Sequence, residues 1–498
     1  MPDTSDRTER VAELQQAAVP HPASAGRQAI SAIDAIYQDG LIVPSRPLDL
    51  AEGTPLHIHV EVQPAPPQPA IPLDLAAAFR LLLALSALAL ALFAQYTFMA
   101  GHSFSWTAFG AAIVAVGMFA GALHRAPLPF QPAEPVPLVA QPAIAWLPWR
   151  SAMLIGALVC TAIVLLALAT PFIANYNVYL VPWLAAIALV LGAFGQARRP
   201  ARAATPFWPA LAPAACITLL AFGLRAWRLD QFPATLGGDE AAQGLESVNV
   251  LHGILANPFV TGWTSVPTMS FYVAVPSLAI FGQTITALRL PWALVGTASV
   301  LATYLLAARL HGRLVACLAA GLLAGFHYHV HFSRLGSNQI ADTLFVPAAL
   351  LCLVQGYRLR RAGAWAWCGV WVGLAQFFYA GARFTAILIA ITVAWFAIRE
   401  GRSFLAARRT ELAALLAGVL VTAAPMIQYA IRFPNEYNGR FNTVGIFQPG
   451  WFEAEMELTG RTVPHILNEQ FWSAFLAYNA TSDRTTWYGS GEPFFGLL

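Results

Sequence analysis

Two adjacent carboxylates, Asp239 and Glu240, stand in the stretch "TLGGDEAAQG" (235–244), just past an apolar segment and directly after Gly237 and Gly238. A carboxylate held at a membrane surface can act as general base on a hydroxyl. The plainer reading is a helix start. Two glycines permit a tight turn, "DEAAQGLESVNVL" can begin a short helix, and acidic residues stabilise such an end by a few tenths to about 1 kcal/mol. A second group is "HYHVH", with His327, His329 and His331 in alternation and His327 and His331 on one helix face. No Cys or carboxylate accompanies them in a recognised ligand pattern. The expected reading is therefore neutral interfacial histidines, and no metal ligand is assigned.

Which reading holds for the carboxylates depends on the membrane. Of the 498 residues, 58% are hydrophobic and 11% charged, against about 25% charged in soluble proteins. This composition is that of a polytopic membrane protein. A net charge of +3 is too small to imply nucleic acid. Every basic residue is Arg, which excludes P-loop and Schiff-base lysine chemistry. The five cysteines lie singly in apolar segments and read as buried thiols.

Residues 1–28 are polar and read as a disordered tail. Residues 29–63 read as a small β-module: "DAIYQDGLIV" is a hairpin around Asp-Gly, and "LHIHVEV" alternates as a half-buried strand. Residues 64–75 are a stiff Pro-rich linker. Eleven apolar segments follow, near 76–97, 105–123, 151–173, 178–196, 209–228, 285–308, 313–330, 341–357, 364–379, 384–398 and 411–431. Each approaches the roughly 20 residues that span a bilayer core. The first four form an N-terminal membrane region (76–196), followed by an Arg-rich cytoplasmic linker (197–208). The apolar stretch 264–282 is interrupted by prolines and reads as interfacial or re-entrant.

The N-terminal segment is acidic and has no apolar leader, so the N-terminus is expected in the cytoplasm. The loops that then face the cytoplasm hold Arg125 and Arg150, Arg198, Arg199 and Arg202, Arg309 and Arg313, Arg358, Arg360 and Arg361, and Arg399, Arg402, Arg408 and Arg409. This asymmetry fits the positive-inside rule with eleven spans. Asp239 and Glu240 then lie in an outer loop, as do "HYHVHFSRLGSNQIAD", "YAGAR" and "IRFPNEYNGRFNTVGIF".

Two resemblances emerge. The "IYQDG", "PLDL" and "EGT" turns with the final strand resemble the AF2212-type antitoxin-like β-module, which implies a small domain capable of self-association through residues 29–63. From about residue 209, "LRAWRLDQFP", "GGDEAAQGLESVNVL", "HFSRLGSNQIADTLF", "FFYAGARFTAILI" and "IRFPNEYNGRFNTVGIF" occur in an order similar to glycosyltransferase family 39, the protein-mannosyltransferase-like and aminoarabinose-transferase-like C-type membrane enzymes. The fold this implies is mainly α, a polytopic helical bundle of the GT-C type, with the core at 209–498. Family members carry further spans beyond "GEPFFGLL", so the core is expected to be either cut short or a truncated form.

The resemblance implies a polyprenyl-phosphate-linked sugar donor, hexosyl or pentosyl transfer with inversion to a hydroxyl of a protein, lipid or glycan acceptor, and chemistry on the extracytoplasmic face. Asp239 becomes the expected base and Glu240 its neighbour. Arg334, Arg383 and Arg440 become candidate phosphate holders, since a planar, permanently charged guanidinium suits a leaving phosphate. Asp342 and Tyr379 become candidate donor-pocket residues. No cofactor is certain. A divalent cation held by Asp239, Glu240 and Asp342 through oxygen ligands is allowed. Two other classes fit the sequence less well. A flippase or transporter of lipid-linked sugars should carry ionisable residues in mid-span, and these are scarce. A non-catalytic membrane scaffold would not require the polar outer loops.

Overall fold

The computed structural model describes residues 35–38, 41–44, 75–101, 106–123, 148–170, 173, 175–195, 207–478, 481, 482 and 493. The chain divides into two units, Met1–Leu73 and Asp74–Leu498. In the first, strands β1 (Ala35–Gln38) and β2 (Leu41–Pro44) pair antiparallel, with Gln38 opposite Leu41. The two residues between them are Asp39-Gly40, the dipeptide that favours a tight hairpin turn. The expected tail, the "LHIHVEV" strand, most of the linker and the rest of the β-module lie outside the described residues.

The second unit is helical. It begins with α1 (Leu75–Gly101), α2 (Trp106–Leu123), α3 (Pro148–Ala169), α4 (Leu180–Phe194) and α5 (Phe207–Ala226). There follow α6 (Gly238–Leu251), α7 (Met269–Tyr272), α8 (Val275–Phe281), α9 (Ile285–His311), α10 (Arg313–Gly325) and α11 (His327–Ser333). The chain continues through α12 (Asp342–Leu359), α13 (Ala362–Ala375), α14 (Phe384–Glu400), α15 (Phe404–Ala407) and α16 (Arg409–Arg432). The last helices are α17 (Pro434–Val444), α18 (Trp451–Thr459) and α19 (Val463–Leu476).

Six helical segments among the described residues are long and apolar enough to cross a membrane: Pro148–Ala169, Asn177–Phe194, Ile285–His311, Asn338–Leu359, Ala380–Ala407 and Arg409–Arg432. The pair α10–α11 makes a seventh if taken as one broken span. Four other expected spans are helical but have shorter apolar stretches, at Leu82–Ala94, Trp106–Phe119, Ala212–Ala226 and Ala362–Ala375.

The expected continuous span at 313–330 is corrected. Helix α10 stops at Gly325, Phe326 takes an extended conformation, and α11 leaves at 62°. The break has a chemical support. Leu323 and Ala324 would end α10 with unpaired carbonyls, and the buried Arg225 guanidinium donates to both, at 3.3 and 3.1 Å. The stretch 264–282 forms a turn and the two short helices α7 and α8 rather than a span, as its prolines require.

The largest core packs α3 and α4 against α12, α13 and α16 around Trp183, Phe259, Trp365 and Phe377. Helix α13 is wedged among its neighbours, with Trp367 its one exposed residue. Gly369 and Gly373 lie four residues apart and let its backbone approach α16. A Cβ on Gly369 would overlap the Leu415 carbonyl, and one on Gly373 would lie 2.5 Å from Thr422 Cβ. Small residues at this spacing are how helices in a bilayer gain close contact. Replacing Gly369 with Leu is expected to lower stability by about 1–3 kcal/mol or more, read as an earlier thermal transition of the detergent-purified protein. Gly321→Leu on α10, where a Cβ meets nothing within 4 Å, should leave the transition in place.

Candidate active site

The site is built where α6 begins. Gly237 caps the helix in extended conformation, and Asp239 and Glu240 occupy its first turn. Consecutive helical side chains point about 100° apart, so the two carboxylates part company. Glu240 turns inward and is fully buried. Its Oε1 and Oε2 receive Arg289 Nε and Nη2 at 2.6 and 2.9 Å, and Oε1 also receives the Gly336 N–H at 2.7 Å. The remaining Arg289 donors go to the carbonyls of Leu229, Pro233 and Thr235. All five guanidinium N–H groups are thus used.

This corrects the expectation for Glu240. Its carboxylate is committed to Arg289 and Gly336 and does not line the cavity described below. It fixes α6 instead. Gln243, one turn on, accepts the Asn338 N–H at 3.1 Å, and Asn338 donates to Ser270 at 3.3 Å. The segment 336–338 leads directly into Asp342 at the start of α12. The contacts of Glu240 and Gln243 on α6 therefore set the position of Asp239 relative to Asp342.

Asp239, Asp342, Tyr379 and Arg440 line one cavity of about 590 Å³. Its apolar wall is supplied by α10 and α11, through Leu323, Phe326 and Phe332. Asp342 Oδ1 is buried with no hydrogen-bond partner, and Gly381 packs so close to Oδ2 that a Cβ there would overlap it. The Arg440 guanidinium has no protein partner among the described residues and faces the cavity from α17.

The other two candidate arginines differ. Arg334, expected to hold phosphate, is corrected to a structural role. Its five donors reach the carbonyls of Leu224, Arg225, Trp227, Arg228 and Phe232, closing the end of α5 and leaving nothing for a ligand. Arg383 lies outside the main cavity in an adjoining cleft that it shares with Tyr379 and Arg440. Its guanidinium stacks on Tyr437 at 3.9 Å and lies 5.6 Å from Phe441, and its Nε is buried without a hydrogen-bond partner.

Sequence reasoning missed Arg225 and gave His329 no specific partner. Arg225 Nη2 lies 2.8 Å from His329 Nδ1. A guanidinium only donates, so Nδ1 accepts and the ring proton sits on Nε2. Nε2 then donates to Ser299 at 2.7 Å, with Thr343 at 3.2 Å. Both hydroxyls can accept, because each gives its own proton to a backbone carbonyl. His329 lines the cavity as a neutral imidazole with both nitrogens engaged, which removes it as a metal ligand. The one clue in the sequence was an arginine near the end of an apolar helix. Among the described residues no three His, Cys, Asp or Glu side chains group as metal ligands. The allowed set of Asp239, Glu240 and Asp342 is broken by the Glu240–Arg289 pair.

Removing one partner of a buried ion pair leaves an uncompensated charge. Glu240→Ala and Arg289→Ala are each expected to cost about 3–5 kcal/mol, seen as loss of folded protein in detergent and a lower thermal transition. Replacing both residues with Leu should recover part of that loss in a double-mutant cycle.

Residues 265–429 match the family described as dolichyl-phosphate-mannose-protein mannosyltransferase. The matched segment holds Arg334, Asp342, Tyr379 and Arg383. It starts after Asp239 and stops before Arg440. No curated protein and no solved structure matches the chain. The matched residues and the apolar helices that carry them agree: over 265–429 this chain carries a mannosyltransferase-like membrane glycosyltransferase domain of the family-39, GT-C kind.

Proposed function

We propose that the protein transfers a sugar from a polyprenyl-phosphate-linked donor to an acceptor hydroxyl, with inversion, on the extracytoplasmic face. The observation that carries this reading is the single cavity in which the two carboxylates Asp239 and Asp342 meet the unpaired guanidinium of Arg440. Asp239 takes the acceptor proton. The acceptor oxygen bonds to the anomeric carbon from the side opposite the phosphate, and the carbon–oxygen bond to phosphate breaks with its electron pair. Arg440, with Arg383 in the adjoining cleft, receives the charge that develops on the phosphate. Asp342, with Oδ1 open, accepts a hydrogen bond from a sugar hydroxyl. An apolar groove of about 630 Å³ between α5 and α11, walled by Leu220, Leu224 and Val330, suits the polyprenyl chain.

Sidedness rests on charge. Arg309, Arg313, Arg358, Arg360, Arg402 and Arg409 lie at the helix ends and connections away from the cavity, which fits a cytoplasmic placement of that end. Counting α1, α2, α5, α13 and the broken pair as spans gives eleven, with the N-terminus and the 29–63 module inside. Self-association through that module belongs to this proposal, as does the division at 64–75 and 197–208.

Turnover measurements test it, using defined polyprenyl-phosphate sugars and candidate protein, lipid and glycan acceptors. Asp239→Asn should reduce turnover roughly 10²- to 10⁴-fold with normal folding. If Asp239→Asn turns over normally while Asp342→Asn is dead, the base is misassigned. Arg440→Gln should lower turnover roughly 10²- to 10³-fold, whereas Glu240→Gln should act on stability more than on turnover per folded molecule. Chelator should leave transfer unchanged. Activity lost to chelator and restored by Mg²⁺ would put a cation between Asp239 and Asp342.

A further inference from the structure

A second cavity, of about 440 Å³, lies between the ends of α3 and α16, the start of α17 and the loop around Asn257–Thr261. It shares no lining residue with the candidate active site. Leu168, Tyr176, Asn257, Arg432 and Glu436 in its wall lie outside the family-matched segment, so the match does not account for it.

Its polar groups are set for a ligand. Gln428 Nε2 donates to the Leu165 carbonyl at 2.9 Å. A carbonyl only accepts, so this bond also fixes which end of the amide is which. The Gln428 Oε1 atom is left buried with no partner, an arrangement that is costly unless something donates to it. Asn257 Oδ1 takes the Phe259 N–H at 3.0 Å, which leaves the Asn257 amide N–H groups as donors. Tyr429 OH pairs with Thr261 at 2.8 Å. One guanidinium, Arg432, whose Nη1 donates to the Leu168 carbonyl at 2.8 Å, and one exposed carboxylate, Glu436, also line the cavity.

These features define the ligand chemistry. One charge of each sign gives no net attraction for an anion or a cation. Both donors and acceptors are offered, so the ligand must supply both, as hydroxyl groups do. An alkyl chain would leave Gln428 Oε1 and the Asn257 amide N–H groups without partners. The rings of Tyr176, Tyr429 and Phe433 offer the apolar surface that the C–H faces of a sugar require.

We propose that this cavity is a second, non-catalytic site for a neutral hydroxyl-rich sugar unit, supplied by a free glycan or by a glycolipid headgroup. Helix α17 links it to the candidate active site. Glu436 faces the second cavity, Tyr437 carries the Arg383 stack, and Arg440 faces the first. Binding at the second cavity requires neither Asp239 nor Arg440, so it stands or falls apart from the transferase reading.

The test uses the full chain in nanodiscs, titrated with methyl α-mannoside, methyl α-glucoside, dodecyl α-mannoside and methyl glucuronide, and followed by saturation-transfer NMR. Saturable binding of a neutral hexoside is expected in the wild type and in Asp239→Asn. Gln428→Met and Glu436→Gln should each weaken it roughly five-fold or more. Should Gln428→Met fail to fold, Glu436→Gln, at an exposed position, decides. Binding only of the dodecyl glycoside identifies a glycolipid headgroup, and binding of the methyl glycosides identifies a glycan chain. No saturable binding of any neutral hexoside, tighter binding of the glucuronide, or binding that ignores both substitutions would overturn the proposal.

Discussion

The candidate site depends on one buried ion pair. Arg289 lies near the start of α9 and Glu240 in the first turn of α6. Between them they fasten four pieces of chain: the two helices, the connection at Leu229–Thr235 and the loop at Gly336. Burying two charges is expensive, and a pair of this kind is tolerated only when the remaining donors and acceptors are also satisfied. Here they are. Gly336 is part of the same arrangement, because a Cβ there would overlap Leu288 and crowd Glu240 Oε1 at 3.1 Å. The consequence is positional. Asp239 follows from Glu240 by one helical step, and Asp342 follows from Gly336 by a short loop.

The arginines divide into two groups by what their donors touch. Arg225, Arg289 and Arg334 each spend all five N–H groups on protein acceptors. They serve as braces at places where helices end and carbonyls would otherwise lack partners. Arg440 has a guanidinium without a protein partner among the described residues, and Arg383 rests on an aromatic face with Nε unpaired. Only the second group has bonding capacity left for a phosphate. The broken helix α10–α11 belongs to the same account. Its bend brings Phe326, His329 and Phe332 to the cavity wall, and Arg225 both relieves the carbonyls at the break and sets the His329 tautomer.

Much of this protein was legible in its sequence. The apolar segments identified every long helix from α1 to α16, because a segment of about 20 apolar residues has few ways to satisfy its backbone away from water. The two short runs on either side of Asp39-Gly40 pair as antiparallel strands. Family-like stretches and the outer-loop argument picked out Asp239, Asp342, Tyr379 and Arg440, which the fold brings to one cavity. What the sequence by itself determined was therefore helix, order and a set of polar residues sharing one end of the bundle. Which residue of the "DE" pair faces the cavity, which of Arg334, Arg383 and Arg440 retains free donors, and where α10 breaks were decided only by tertiary structure. Each of these turns on contacts between residues far apart in the chain: Glu240 with Arg289, Arg334 with the end of α5, Arg225 with the end of α10. Local pattern shows that a charged side chain is present, but the partners that consume or spare its hydrogen bonds are set by packing.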